Sequence, residues 1–422
     1  DVAWCTMITG YTENGLGHEA LNAYKEMKKE RKGMRPSAAT LYAVSKACTI
    51  INDLEQGMLI HDEIQGTDME SDLLVRTGLI EMYSKCGRLD EASRLFDDSL
   101  VYDHVLWEAM ITQYIQHGNN QKAIEIFEGL SQEGLQPRIE TYTTLLKACG
   151  NGDFHIGWLI HDRMVRNGHK LEHIVAGALV NMYAKRGNLD EARNIFDSLH
   201  DRTVMSWGGM IAGYAQYGLG HDALKCFREM QDEGVGPNVV TYVCVLKACG
   251  IVRCLEIGEE LHIEVKKKGL LQRDITIGNA LIDMYAKCGV LTKAQEVFSQ
   301  LLVKNVVTWT ALIAGYVQHG FSGQALECFK QMEDEGISPN VVTYTSILKA
   351  CGIIGCIDIG KDIDAKVRKQ GLLQKDMLLG TTLVDMYAKC DAIENAREVF
   401  ESLPVRNVMS WNAMIGGYIQ HG

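Results

Sequence analysis

Residues 306–340 read VVTWTALIAGYVQHGFSGQALECFKQMEDEGISPN, residues 341–376 read VVTYTSILKACGIIGCIDIGKDIDAKVRKQGLLQKD, and residues 377–407 read MLLGTTLVDMYAKCDAIENAREVFESLPVRN. The three stretches are 35, 36 and 31 residues long and share one layout. In the first, Trp309, Leu312, Ile313 and Tyr316 recur at helical spacing on one face. Gly320 then supplies a residue without Cβ, suited to a left-handed helix end. Ser322 stands where the N-cap of a second helix is expected. Ala325, Leu326, Phe329 and Met332 form that helix's inner stripe, Gly336 closes it, and Pro339 blocks its continuation. Each stretch therefore predicts a hairpin of two antiparallel helices.

The layout repeats from end to end. Trp4, Trp107, Trp207, Trp309 and Trp411 are spaced by 103, 100, 102 and 102 residues. Lys-Ala-Cys recurs at Lys46, Lys147, Lys247 and Lys349, and Met-Tyr at Met82, Met182, Met284 and Met386. Pro36, Pro137, Pro237 and Pro339 mark equivalent unit ends. These beats divide the chain into triplets of units at 1–103, 104–203, 204–305 and 306–407, with the first helix of a fifth at 408–422. One hairpin cannot bury its apolar face alone, whereas stacked hairpins share a continuous core. The expected fold is all-α, an α-α superhelical solenoid of stacked helix-turn-helix repeats forming one elongated domain. Ala20, Ala123, Ala223 and Ala325 are expected where helices approach closely.

Composition agrees with such a chain. Of 422 residues, 46% are hydrophobic and only 5 are proline, which suits a folded and mostly helical protein. No apolar run is long enough to span a membrane. The 13 cysteines recur because the repeat recurs, and read as small buried thiols of a reducing compartment rather than a disulfide framework. Beginning without a methionine at Asp1, the first residue of a repeat unit, and stopping halfway through another at Gly422, the chain reads as a piece of a longer protein. Any targeting segment is expected outside it.

The cycle of lengths, with Trp-x-x-x-Ile-x-Gly-Tyr (Trp411 to Tyr418), Leu-Lys-Ala-Cys (Leu348 to Cys351) and Met-Tyr-Ala-Lys-Cys (Met284 to Cys288), resembles the pentatricopeptide repeat, specifically its plant-type triplet subclass of P, L and S units. The resemblance covers the whole chain. It implies sequence-specific binding of single-stranded RNA in mitochondria or plastids, at about one nucleotide per repeat. It also implies a part in positioning a transcript for C-to-U editing or other processing, with an editing or processing factor as a possible partner.

Charge by itself points less clearly. The formal net charge is -12, whereas phosphate neutralisation dominates nucleic-acid affinity. The expected first helices carry Lys46, Arg76, Lys85, Lys147, Lys185, Lys247, Lys287, Lys349 and Lys389 against Glu13, Glu81, Glu108, Glu140, Asp283 and Asp385. The second helices carry much of the acid, as in Glu333, Asp334 and Glu335. A groove lined by first helices would be near neutral or mildly positive, beside an acidic outer wall.

In this family the fifth and last residues of a unit face one base, and the apolar second residue wedges between bases. The resemblance thus assigns base reading to Cys5 with Ser37, Tyr42 with Asp72, and Thr77 with Asp103 in the first triplet. The second triplet supplies Glu108 with Arg138, Thr143 with Glu172, and Gly177 with Thr203. The third supplies Gly208 with Asn238, Val243 with Asp274, and Asn279 with Asn305. The fourth supplies Thr310 with Asn340, Thr345 with Asp376, and Thr381 with Asn407, and Asn412 opens a further pair. Wedges are assigned to Val2, Val105, Met205, Val240, Val307, Val342 and Met409. Thr with Asn implies adenine, Thr with Asp guanine, and Asn with Asn a pyrimidine. Short amides, hydroxyls and carboxylates suit the task because their donor and acceptor patterns are fixed.

The middle of the chain departs from this pattern. Glu108 and Arg138 are a non-standard pair able to bond each other; Gly177 and Gly208 offer no side chain; Val243 has no polar group; Glu140 occupies a wedge place. Specificity is therefore expected toward the two ends. A Thr or Asn near a helix start is also a common cap, and the tryptophans read as core. Editing chemistry in the family needs His-x-Glu with Cys-x-x-Cys. This chain has His262-Ile263-Glu264, at a repeat place shared with His61 and His161, and no Cys-x-x-Cys. No catalytic activity, cofactor, metal, small-molecule substrate or membrane partner is expected. A protein-interaction solenoid of the tetratricopeptide kind, holding a peptide or helix in its groove, stands as the competing reading.

Overall fold

In a computed structural model, the structure describes residues 2–30, 35–99, 104–132, 139–149, 154–166 and 173–421. First helices, numbered odd, are α1 Val2–Glu13, α3 Ala38–Ile51, α5 Leu73–Lys85, α7 His104–Gln116, α9 Ile139–Cys149, α11 His173–Lys185, α13 Val204–Gln216, α15 Val239–Val252, α17 Ile275–Lys287, α19 Val306–Gln318, α21 Val341–Ile354, α23 Met377–Lys389 and α25 Val408–His421. Second helices, numbered even, are α2 Gly17–Glu30, α4 Leu54–Ile64, α6 Leu89–Asp97, α8 Asn120–Gln132, α10 Phe154–Arg166, α12 Leu189–Asp197, α14 Gly220–Asp232, α16 Leu255–Lys267, α18 Leu291–Gln300, α20 Ser322–Asp334, α22 Ile357–Lys369 and α24 Ile393–Ser402. Among the described residues there is no strand, and the architecture is the all-α solenoid of stacked hairpins. The 31-residue units save length mainly in the second helix: α6, α12, α18 and α24 have 9 or 10 residues, against 13 in α8, α14 and α20.

The chain divides into two compact units, residues 1–209 and 210–422. Within the first, α1, α3, α5, α7, α9 and α11 pack each on the next; within the second, α15, α17, α19, α21, α23 and α25 do the same. Second helices lie behind this layer. Each of α2, α4, α6, α10, α16, α18, α20, α22 and α24 packs on its own first helix and on the following one. Ion pairs tie neighbouring second helices, as in Lys28 with Glu63 and Glu333 with Lys366 (2.7 Å).

Repeated side chains explain the repeated motifs. Trp107, Trp207 and Trp309 are buried, and each meets the preceding phenylalanine (Phe96, Phe196, Phe298) edge-on at 4.6–4.9 Å between ring centroids. Trp411 keeps the same contact with Phe400, at 4.7 Å, and is half exposed on α25. Each Met-Tyr pair has its own slots. The methionines Met82, Met182, Met284 and Met386 fill the space left by Gly57, Gly157, Gly258 and Gly360; a Cβ on Gly258 would lie 2.6 Å from Met284 Sδ. Tyr83, Tyr183 and Tyr285 place their hydroxyls 2.8–2.9 Å from Nδ1 of His61, His161 and His262. In the fourth triplet Asp364 replaces the histidine, accepting from Tyr387 at 3.0 Å and pairing with Arg368 at 2.8 Å. The close-packing alanines Ala20, Ala123, Ala223 and Ala325 are fully enclosed. All thirteen cysteines are free thiols, and burial pushes Cys48, Cys249 and Cys351 up to about 12.

Ser322 departs from its expected role. It is the first residue inside α20, buried, with its Oγ unbonded, while Phe321 is the N-cap. The turn closes through backbone instead: Gly320 sits at φ +80° and Phe321 N donates to Tyr316 O at 2.8 Å. What this place demands is small size. At the equivalent Gly17 and Gly220, a Cβ would come within 2.7 Å of Ile51 and 2.6 Å of Val252.

Candidate nucleic-acid interface

Most second residues of the repeats are exposed apolar side chains on their own first helix. Val2, Val105, Met205, Val240, Val307, Val342 and Met409 are 41–81% exposed, unusual for residues this apolar when repeated in register. Leu74, Ile174 and Leu378 occupy the same place in their repeats and are also exposed, although the sequence reading passed over them. The period alone was enough to find them. Glu140 has its side chain outside the described residues.

The fifth residues sit one turn deeper. Thr77, Thr143, Thr310, Thr345 and Thr381 are only 4–7% exposed. Each hydroxyl lies 2.6–2.9 Å from the carbonyl four residues back: Leu73, Ile139, Val306, Val341 and Met377. Cys5, Tyr42, Glu108, Gly208, Val243 and Asn279 are half-buried, Gly177 is buried, and Asn412 is exposed.

The last residues are N-caps of the following first helix. Ser37 accepts from Thr40 N, Thr203 from Ser206 N, Asn238 from Thr241 N and Asn407 from Ser410 N. Asp72 accepts from Leu74 N and Val75 N, Asp274 from Thr276 N and Asp376 from Leu379 N. Asn305 and Asn340 each form a full capping box with a threonine three residues on. Asp103, Arg138 and Glu172 lie outside the described residues.

Capping divides the chemistry of these side chains. Asn340 commits Oδ1 to Thr343 N (2.9 Å) and Thr343 Oγ1 (3.0 Å), and Asn305 commits Oδ1 to the backbone of Val307 and Thr308. Their Nδ2 donors carry no bond among the described residues. Asn407 differs, since its Nδ2 lies 2.9 Å from Met377 Sδ. At Asp274 and Asp376 the cap engages Oδ1, so Oδ2 remains as an acceptor.

The threonine three residues into the next helix also reaches the fifth residue. Thr343 Oγ1 lies 2.7 Å from Thr310 Oγ1, and Thr308 Oγ1 donates to Asn279 Oδ1 at 2.7 Å. Thr141 Oγ1 donates to Glu108 Oε1 at 2.6 Å. Thr310 has one hydroxyl proton, which serves either Val306 O or Thr343, so Thr310 presents only lone pairs to a ligand. Sequence reasoning missed these bridging hydroxyls because they belong to the neighbouring unit.

The cationic count needs correction. Arg76 is buried and turned away, bonding Glu70 O, Leu95 O and Ser99 Oγ, because its long stem reaches the α6 side of the hairpin. Lys287 and Lys389 are paired with Asp283 (2.7 Å) and Asp385 (2.8 Å). Lys147 has its side chain outside the described residues. Lys46, Lys85, Lys247 and Lys349 are exposed, and among the described residues no ion pair holds them. Glu81, beside Lys46 and Lys85, has its carboxyl pushed up by burial. A hollow of about 520 Å³ between α19, α21 and α23 is bordered by Gln318, Ser346, Lys349, Asp385 and Lys389.

Among the described residues no group of three or more His, Cys, Asp or Glu is placed to hold a metal ion, and none of the helices is long and apolar enough to cross a membrane. His262 is a packing residue whose imidazole bonds Tyr285; burial lowers its proton affinity.

Comparison with known proteins matches the PPR repeat family over residues 202–250 and 304–352, the pentatricopeptide repeat domain over 97–152, and the PPR repeat over 2–31, 76–101, 175–204, 279–306 and 409–422. A chloroplastic pentatricopeptide repeat-containing protein of Arabidopsis thaliana is 34% identical over all of this chain and 68% of its own length. A mitochondrial one from the same plant is 33% identical over 99% of this chain and 60% of its own. Relatives of this kind extend well beyond the chain, which spans about half to two thirds of their length. The crystal structure of the pentatricopeptide repeat protein PPR10 in complex with an 18-nt psaJ RNA element superposes with a TM-score of 0.69 at 18% identity, covering 99% of this chain and 66% of that one.

Proposed function

Since the chain belongs to the pentatricopeptide-repeat family, we propose that it binds single-stranded RNA sequence-specifically along its first helices, at about one base per unit. The observation that carries this reading is the periodic pairing of an exposed apolar second residue with a capped polar residue at the unit junction. Unstacked bases need both an apolar surface to lie against and fixed donors and acceptors at their edges.

The hydrogen-bond inventory supports specific assignments. Thr310 offers an acceptor and Asn340 a donor. Adenine's Watson–Crick edge offers the complement, an amino donor beside N1. Thr381 with Asn407 is assigned the same base. Thr77 with Asp103, and Thr345 with Asp376 in an L unit, are assigned guanine, whose N1–H and amino group suit a carboxylate. Asn279 gives up Oδ1 to Thr308, so with Asn305 it presents two donors, suited to N3 and O2 of a pyrimidine such as cytosine. Gly177, Gly208 and Val243 are register-keeping spacers. Lys46, Lys85, Lys247 and Lys349 supply phosphate contacts.

The division into P, L and S units is supported by the short second helices that recur once per triplet. Relatives named chloroplastic or mitochondrial support an organellar setting. There the solenoid would hold a transcript for editing or other processing, without itself being an enzyme. The test is equilibrium binding to four RNAs differing only at the base facing Thr310 and Asn340. Adenine should be preferred; equal affinity for all four would remove the assignment.

A further inference from the structure

The bridging hydroxyls carry an inference that rests on the base-reading proposal. We propose that Thr308 and Thr343 are positioning residues for base specificity: each wires the fifth residue of one unit to the last residue of that unit from the helix of the next. Thr343 Oγ1 contacts Thr310 Oγ1 at 2.7 Å and Asn340 Oδ1 at 3.0 Å. Thr308 Oγ1 contacts Asn279 Oδ1 at 2.7 Å and Asn305 Oδ1 at 3.0 Å. Both threonines are fully buried, so neither reaches a base itself. Their effect is to tie the fifth residue to a junction amide whose Oδ1 the backbone of the next helix already holds. A flipped Asn340 would set its amino group against the Thr343 N–H, and the single Thr308 proton serves either Asn279 Oδ1 or Asn305 Oδ1.

Where the third residue lacks a hydroxyl, this wiring is missing. The third residues after the L units are Val75, Val175, Ile277 and Leu379, all buried and apolar. The last residues before them are acids: Asp72, Glu172, Asp274 and Asp376. A carboxylate caps the helix without help, as at Asp72 and Asp376, and Thr345 bonds only its own helix, at Val341 O. Among the described residues, the two halves of the Thr345/Asp376 pair are therefore not coupled to each other. Discrimination should be sharp at the Asn279/Asn305 and Thr310/Asn340 places and blunt at Thr345/Asp376.

The experiment compares the chain with its Thr343→Val, Thr343→Ser and Thr308→Val variants against RNAs substituted at each of those three places, with thermal unfolding confirming that each variant is folded. Thr343→Val keeps the shape and the backbone cap but loses the hydroxyl. It should lower base discrimination about three- to tenfold opposite Thr310/Asn340 alone, the scale of one neutral hydrogen bond. Thr308→Val should do the same opposite Asn279/Asn305 alone, and Thr343→Ser should restore discrimination. A uniform loss of affinity across all RNAs, or an unchanged preference, would overturn the positioning role. No base preference in the parent chain would instead overturn the base-reading proposal beneath it.

Discussion

With Oδ1 held by the backbone of Thr343, Asn340 can turn only its Nδ2 donor outward. Replacing it by Asp keeps the cap and exchanges that donor for an acceptor. Asn340→Asp is therefore expected to move the preferred base at this place from adenine to guanine, a change of about 1–3 kcal/mol in relative affinity on the scale of base-edge contacts. Competition binding with the two RNAs measures it; retained adenine preference would show that the amide does not face the base. The sequence placed Asn340, Asn305 and Asp376 at unit junctions and set capping against reading as rival roles. The structure makes each of them a cap, and a cap occupies only one end of an amide or carboxylate. That division depends on which atom meets which N–H, and no sequence pattern carries it. Arg76 shows the opposite failure: its place on a first helix was legible, but its rotamer was not.

Single helices are held in register by contacts that repeat once per triplet. Gly258 lets α16 approach Met284, and Gly258→Val is expected to destabilise the second unit by about 1–3 kcal/mol through overpacking. Trp309→Ala, which empties the slot beside Phe298, should cost about 3–5 kcal/mol. Both are read by denaturant unfolding, and a loss below about 0.5 kcal/mol in either would contradict the packing account. His61, His161 and His262 add a pH dependence. Burial lowers their proton affinity in the folded chain, so the unfolded chain binds protons more readily. Their contribution is complete above the ordinary imidazole value of about 6.5 and is lost as pH falls below it. The melting temperature should fall between pH 7 and pH 5, and triple replacement of these histidines by Gln should flatten that fall. The helix starts were legible, because the period and the capping residues coincide at Val306, Val341 and Met377. Ser322 was misread because a left-handed glycine turn closed by backbone needs no side-chain cap, and steric room decided the residue instead.

Across the whole molecule, stacking was the most legible property, since a hairpin of 31 to 36 residues has no core without neighbours. The electrostatics were legible only in part. The net charge of -12 is a sum over both layers, whereas the first helices expose Lys46 and Lys85 in the first compact unit, and Lys247 and Lys349 in the second, with no ion pair among the described residues, and these are the groups proposed to meet phosphates. About four phosphate contacts predict a slope of log affinity against log salt near −3 for a single strand. Base contacts would then supply the remaining affinity and survive at higher salt. The most direct test is therefore salt-titrated binding to a short RNA carrying the assigned bases, beside a scrambled RNA and the DNA of matching sequence. Preference for the assigned RNA, persisting as salt rises and reduced by Thr310→Val, is the predicted result. Equal binding to all three, vanishing together as salt rises, would contradict it.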